Sequence, residues 1–389
     1  MVNWRGRHHM PDRPGMTPPW AGLRVALVHD WLTGMRGGEK VLESICRIFP
    51  GAPLLTLVHA PESVSATIAA HPIRRSFIQA LPRPTRLYRH YLPLFPMAIE
   101  QFDLDDVDVV ISTSHCAAKA VVRTGRAVHI CYCHSPMRYA WDQFDAYFGP
   151  DRLGRVPSWM ARQVLAWLAR WDRDTAGRVD RFVANSSHVA GRIARYYNRA
   201  STVLHPPVDT VFFTPGSAPP ADYFLVVSAL VPYKRIDVAV DAATRLGVPL
   251  KIVGSGPDEA RLRAQAGATV EFLGPVEGPA LRDLYRQAQA ALLPGEEDFG
   301  IAPVEAMACG RPVIALGRGG ATETVVSGLT GVLVSEPGVE AFTAAMASFR
   351  TDAFDSAAIR AHAETFGTAR FEAAFRSAVA EALAPRPRC

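Results

Sequence analysis

Short apolar runs bounded by glycine and proline alternate along this chain with longer stretches in which apolar residues recur every three to four positions. The run Leu23 to His29 (LRVALVH) is rich in β-branched residues and opens into glycines, the pattern of a buried parallel strand feeding a loop and a helix. Val107 to Ser112, Ala127 to Tyr132 and Arg181 to Ala184 have the same character. Between the last two, Val156 to Thr175 carries Trp159, Val164, Trp167, Leu168 and Trp171 near helical spacing. Around Pro206, Pro207, Pro215, Pro219 and Pro220 the pattern breaks into proline, glycine and small polar residues, as in a linker. A second series of buried-strand runs follows: Tyr223 to Ser228, Leu250 to Val253, Val270 to Leu273, Ala290 to Leu293 and Pro312 to Leu316. Strands alternating with helices predict an α/β protein with a doubly wound sheet in each half.

A chain of 389 residues is too long for one ordinary core, which agrees with two domains and a cleft. The expected division is a flexible tail over 1–22, a first domain over 23–205, a linker over 206–222, a second domain over 223–365 and a last helical segment over 366–389. Ligands are expected at the carboxyl ends of the strands, where loops and helix N-termini converge. The two openings are expected to face each other.

Composition narrows the partners. With 49% apolar and 20% charged residues the chain is an ordinary globular protein. A formal net charge of +5 favours an anionic ligand or membrane surface and gives no ground for a nucleic acid partner. The six cysteines, at 46, 116, 131, 133, 309 and 389, lack the dense spacing of a disulfide scaffold and fit a reducing cytosol. Cys131, Cys133 and His134 have no second Cys/His pair at zinc-site spacing, so no metal site is expected. The tail is basic and proline-rich but lacks a signal peptide's apolar stretch, and no run of 18 apolar residues predicts a membrane span.

Four segments carry candidate chemistry. Gly34 to Lys40 follows the first strand and precedes an apolar helix, so the N–H groups of Gly37 and Gly38 are placed to meet an anion. It is not a Walker A loop, because Glu39 separates Gly38 from Lys40. Gly254-Ser255-Gly256 ends another strand, and Glu259 occupies the position where a dinucleotide fingerprint needs glycine. Each loop is equally a tight turn. Lys234 and Arg235 follow the first strand of the second half, a pair of cations suited to a diphosphate, although such pairs are usually solvated surface. Pro294 to Pro312 runs from a strand through an acidic loop into a helix whose first turn holds Pro303 and whose end is marked by Gly310. Glu297 and Glu305 are expected to line one binding face there, while helix capping explains the same acids without a ligand.

Together these segments resemble the family-4 glycosyltransferases, a large family of retaining transferases with the GT-B fold. The signature is Glu297 to Glu305, with Phe299-Gly300-Ile301 inside it and Ala306-Met307-Ala308-Cys309-Gly310-Arg311-Pro312 after it. The resemblance runs from Leu23 to about Ala384. It implies two Rossmann-like domains facing across a cleft, with a C-terminal helix, here Thr368 to Leu383, crossing back to the first domain. It implies further that Glu297 contacts donor-sugar hydroxyls, Glu305 the nucleotide ribose, Lys234 the diphosphate and His134 the sugar. Backbone groups of Phe299, Gly300 and Ile301, and the glycine loops at Gly37, Gly38, Gly254 and Gly256, seat the rest of the donor in that reading. Many members carry arginine five residues before the phosphate lysine; here Ala229 stands there, and Arg235 is expected to compensate.

His134 to Asp142 (HSPMRYAWD) looks like a segment of a mannosyltransferase-like branch that builds bacterial surface polysaccharides, which points to GDP-mannose. The donor is a co-substrate, and no other cofactor is expected. With no Asp-x-Asp donor loop, a metal-independent reaction is expected, by front-face attack with the leaving phosphate taking the acceptor's proton. Ile73 to Pro96 interleaves five arginines with Phe77, Leu81, Leu87, Tyr88, Tyr91 and Leu92. That segment suits anionic lipid headgroups, and equally a solvated helix pair under a loop; the first implies a glycan or polyprenyl-diphosphate-linked acceptor and a cytoplasmic protein peripheral to the inner membrane face. The alternatives are a UDP-sugar-dependent transferase of the same fold and a non-catalytic nucleotide-sugar-binding protein.

Overall fold

The structure, a computed structural model, describes residues 18–123, 125–150 and 154–384. In the first half, β1 (Val25–His29), β2 (Leu54–Thr56), β3 (Ile73–Arg75), β4 (Val109–Ser114), β5 (Val128–Cys133), β6 (Arg181–Ala184) and β7 (Ser201–Val203) form a seven-stranded sheet. Its order is β3-β2-β1-β4-β5-β6-β7, parallel throughout. In the second half, β8 (Phe224–Val227), β9 (Leu250–Val253), β10 (Val270–Gly274), β11 (Ala290–Leu293), β12 (Val313–Leu316) and β13 (Gly331–Val334) form a six-stranded parallel sheet. Its order is β10-β9-β8-β11-β12-β13. The strand order reverses beside β1 in one sheet and beside β8 in the other, so each sheet opens a crevice at that point.

Strands β4, β11 and β12 are buried along their whole length, which is why β11 and β12 read as unbroken apolar runs. Helix α1 (Gly37–Ile48) lays Val41, Leu42, Ile45, Cys46 and Ile48 on the first sheet. Each such aliphatic side chain contributes about 1.5–3 kcal/mol when fully buried. Helix α2 (Arg155–Thr175) packs through Leu165 and Leu168, and α3 (Ser187–Tyr197) through Val189 and Ile193. In the second domain α4 (Ile301–Ala308) is buried from Pro303 to Ala308. Helix α5 (Thr368–Leu383) returns to the first domain, where Phe371 and Phe375 pack on the Tyr132 ring at 5.7 and 6.5 Å. Glu372 pairs there with Arg47 at 3.0 Å.

Several expectations change. The tail expected over 1–22 lies outside the described residues as far as residue 17, and beyond that Trp20 is buried against Phe49. The segment 206–222 is more than a linker, since Val208 and Phe213 belong to the second domain's core. Ile73 to Pro96, expected to face lipid headgroups, turns much of its apolar side inward. It begins as edge strand β3 and continues in short turns whose Ile78, Tyr88 and Leu92 point into the core. Among the described residues no helix is long and apolar enough to cross a membrane.

Candidate active site

The segments picked out in the sequence converge where the two sets of strand ends face each other. The loop after β11 carries Glu297 and enters α4 at Gly300, whose φ of 89° is a left-handed conformation that glycine adopts at little cost. Glu297 forms an ion pair with Lys234, which ends a 3-10 turn after β8, and both side chains are largely buried. Burial opposes the lysine's charge; Glu297 more than restores it, raising the Lys234 pKa above its ordinary value. Inside α4, the Glu305 carboxylate is 5% exposed and accepts hydrogen bonds from Tyr285 Oη at 3.0 Å and Lys40 Nζ at 2.8 Å. The first N–H groups of α4 lack intrahelical partners, so this end of the helix suits an anion.

The first domain supplies the opposite wall. A Cβ on Gly37 would lie 3.0 Å from Ile301 Cδ1, and one on Gly38 3.5 Å from His134 Nε2, so the glycine loop is pressed between α4 and His134. His134 Nε2 is sealed from solvent and has no partner. Burial, then the neighbouring His115, pushes His134 down to about 3, which keeps the imidazole neutral. Beneath it, Asp30 accepts four backbone N–H bonds, from His115, Cys116, Ala117 and Ala118 at 2.6–3.0 Å, and fixes the loop after β4.

Sequence reasoning missed the contacts that close the cleft. Arg138, in the short helix Arg138–Trp141, reaches Asp298 with Nη2 at 2.5 Å and stands 5.1 Å from the Tyr233 ring, beside Lys234. Arg192 of α3 also pairs with Asp298 at 3.0 Å and with Asp142 at 2.6 Å. Burial would raise the Asp298 carboxyl, and the two guanidiniums more than offset it, holding it below the usual range. Glu323 accepts N–H bonds from Ser187 and His188 at the start of α3 and takes His205 Nε2 at 3.0 Å. Arg138 lay in the quoted His134 to Asp142 segment and Asp298 in the acidic loop, but nothing local marks them as partners.

Four site residues, Arg235, Gly254, Gly256 and Phe299, behave differently from expectation. Arg235 adopts φ 51°, is half-exposed, and turns its guanidinium to Asp237 at 3.2 Å, so Arg138 takes the place beside Lys234 that Arg235 was expected to fill. The two glycines of the 254–256 loop answer to packing. A Cβ on Gly254 would lie 1.9 Å from Ser228 O, and one on Gly256 2.2 Å from Leu230 O. The Gly254 N–H is already given to Gly274 O at 2.8 Å. Phe299 is buried between His205 and Phe366, shaping the loop from behind.

The model of "Glycosyltransferase Family 4" matches residues 35–212, and that of "Glycosyl transferases group 1" matches residues 208–370. The chain belongs to the group 1, family-4 glycosyltransferases. Its similarity to a D-inositol 3-phosphate glycosyltransferase of Kribbella flavida is 31% identity over 227 residues, 48% of this chain and 53% of that one. A relative of the same description in Catenulispora acidiphila is 34% identical over 196 residues, 41% and 45% of the two chains. The chain thus spans about half the length of the curated relatives it matches. Anabaena HepE, solved with UDP-glucose, superposes with TM-score 0.66 at 17% identity, covering 92% of this chain and 99% of that one. Sucrose-phosphate synthase of Thermosynechococcus elongatus gives TM-score 0.62 at 18% identity, covering 92% and 96%. This family-4 chain accordingly has the GT-B fold, two Rossmann-like domains with α5 crossing back.

Proposed function

We propose that the chain is a retaining glycosyltransferase that moves a sugar from a nucleotide-activated donor, GDP-mannose in the first reading, to a glycan or lipid-linked glycan in surface polysaccharide synthesis. One observation carries the proposal. Two buried cations, Lys234 and Arg138, flank the Tyr233 ring beside the N-terminus of α4, and each is neutralised by a carboxylate of the acidic loop. Such an arrangement suits a diphosphate, which replaces the carboxylates as counter-charge.

In this reading Glu305, held from behind by Tyr285, takes the ribose end, Glu297 and the neutral His134 hold sugar hydroxyls, and the backbone from Phe299 to Ile301 seats the phosphates. As the bond from the anomeric carbon to the diphosphate breaks, its electron pair goes to the leaving oxygen. Lys234, Arg138 and the N–H groups of α4, Gly37 and Gly38 stabilise that charge; one such prearranged donor is typically worth about 100-fold to 1,000-fold in rate. The acceptor oxygen attacks from the same face, and its proton passes to the departing phosphate. A two-step route needs a second carboxylate across the same bond, and Glu305 is committed to Lys40 and Tyr285. Closure of the two walls excludes water and limits donor hydrolysis.

A UDP-sugar donor is the second reading, favoured by the UDP and UDP-glucose bound in HepE, and an inositol phosphate acceptor is favoured by the names of the curated relatives. The test is incubation with GDP-mannose and UDP-glucose in EDTA, with a lipid-linked oligosaccharide pool and inositol 3-phosphate as acceptors. NMR then reports the product's anomeric configuration. Retained configuration from GDP-mannose supports the first reading, and from UDP-glucose the second. An inverted product, or no transfer from either donor, overturns the proposal.

A further inference from the structure

We infer that the outward face of α2 docks the protein on an anionic bilayer, next to the mouth of the cleft. Ser158, Leu165, Leu168, Asp172 and Thr175 mark the inward face of this helix. On the other side Val156, Trp159, Met160, Val164 and Trp167 recur at three- and four-residue steps, one helical face. Val156 is 68% exposed, Trp159 62% and Met160 58%. Single exposed apolar residues are ordinary, whereas a continuous row containing two tryptophans marks an interaction surface.

Charge selects the occupant. From Arg155 to Trp171 the helix carries Arg155, Arg162 and Arg170 and no acidic residue, and of these Arg162 pairs with the exposed Asp145 at 3.3 Å. The segment Ile73 to Pro96, whose Tyr88 and Leu92 share a core cluster with Leu165 and Leu168, carries the exposed Arg83, Arg86 and Arg89. A twofold pairing of two such faces sets arginine against arginine. Anionic headgroups neutralise the arginines while the tryptophan rings and Met160 settle at the headgroup boundary, the arrangement of an interfacial helix. The apolar side chains of Ile73 to Pro96 fit this less well, because most of them, Ile78, Tyr88 and Leu92 among them, pack in the core.

The location ties this face to the cleft. Arg162 lies 4.1 Å over the Phe144 ring of the short helix Phe144–Phe148, and Tyr147 of that helix stands 6.2 Å from Tyr233, next to Lys234. A lipid-linked acceptor in the bilayer is thereby delivered within one short helix of the diphosphate cations. The inference deepens the lipid-linked reading above, yet vesicle binding requires no turnover, so the two fail separately.

The experiment is co-sedimentation of the full chain at low salt with vesicles of phosphatidylglycerol and phosphatidylcholine, against phosphatidylcholine alone. Binding to the anionic vesicles with a blue shift of tryptophan fluorescence is expected. A double Trp159→Ser, Trp167→Ser variant is expected to lose tenfold or more of that affinity, and Trp159→Leu, Trp167→Leu to keep most of it. Matching unfolding curves check that both variants fold, and transfer to a water-soluble acceptor stays unchanged in both. Equal binding by the serine variant, no vesicle binding by the parent, or a dimer that dissociates in the serine variant overturns the inference.

Discussion

Replacing Arg138 with alanine removes the guanidinium that bridges the domains and leaves Asp298 largely buried with one cation fewer. Removing one partner of a buried ion pair costs about 3–5 kcal/mol when the other charge is left alone. Here Arg192 Nη1 remains 3.0 Å from Asp298, so the loss falls to that of a charged hydrogen bond, about 1.5–3 kcal/mol. Asp298 has its pKa depressed in the folded protein, so its contribution is present above the unfolded carboxylate value near 3.8 and is lost as pH falls through the lower folded value. The variant therefore differs most from the parent at neutral pH, and the gap narrows as pH falls from the unfolded value near 3.8 through the lower folded value. Urea unfolding of both proteins at pH 7 and pH 3.5 measures it. A gap that is absent at pH 7, or one that widens in acid, refutes the reasoning.

Lys234→Ala is expected to lower turnover by about 100-fold to 1,000-fold in a protein that still folds, with a lower melting temperature from the unpaired Glu297, which steady-state kinetics beside a thermal melt will read. His29 and His129 are fully buried, and burial pushes both from 6.5 to about 3. The unfolded chain takes up protons near pH 6.5 that the folded protein refuses until about pH 3, so stability falls with acidification at about 1 kcal/mol per histidine between pH 6.5 and 5.5. Unfolding curves across that range that show no loss contradict the burial account. Gly254→Ala forces a Cβ to within 1.9 Å of Ser228 O at φ 129° and is expected to destabilise by about 3 kcal/mol or more in the absence of any nucleotide. An unchanged melting temperature removes the packing explanation for that glycine.

The buried parallel strands were legible because both faces are covered, so runs such as Ala290 to Leu293 are apolar without interruption. Strands β2 and β3 span three residues each, too short for any periodicity, and were missed. The acidic loop was legible from its punctuation: a proline in the first turn of α4, then Gly310 and Pro312 after it. The basic segment at Ile73 to Pro96 was read as facing lipid, but much of its apolar side belongs to the core, and composition alone does not say which face meets solvent. The exposed row on α2 was hidden for the opposite reason, since tryptophans at helical spacing usually mark a core face. Arg138 with Asp298 and Lys40 with Glu305 join residues far apart in sequence across a domain boundary, and only the closed fold brings them together.

The central claim, a donor diphosphate held between Lys234 and Arg138, is tested most directly by thermal unfolding with GDP, UDP, ADP and GDP-mannose, without magnesium. A ligand at 100 times its dissociation constant adds about 2.7 kcal/mol to the native state. The account predicts stabilisation of the parent by GDP and GDP-mannose, sharply weakened in Lys234→Ala and in Arg138→Ala. A parent that responds to no nucleotide, or variants that respond as the parent does, contradicts it.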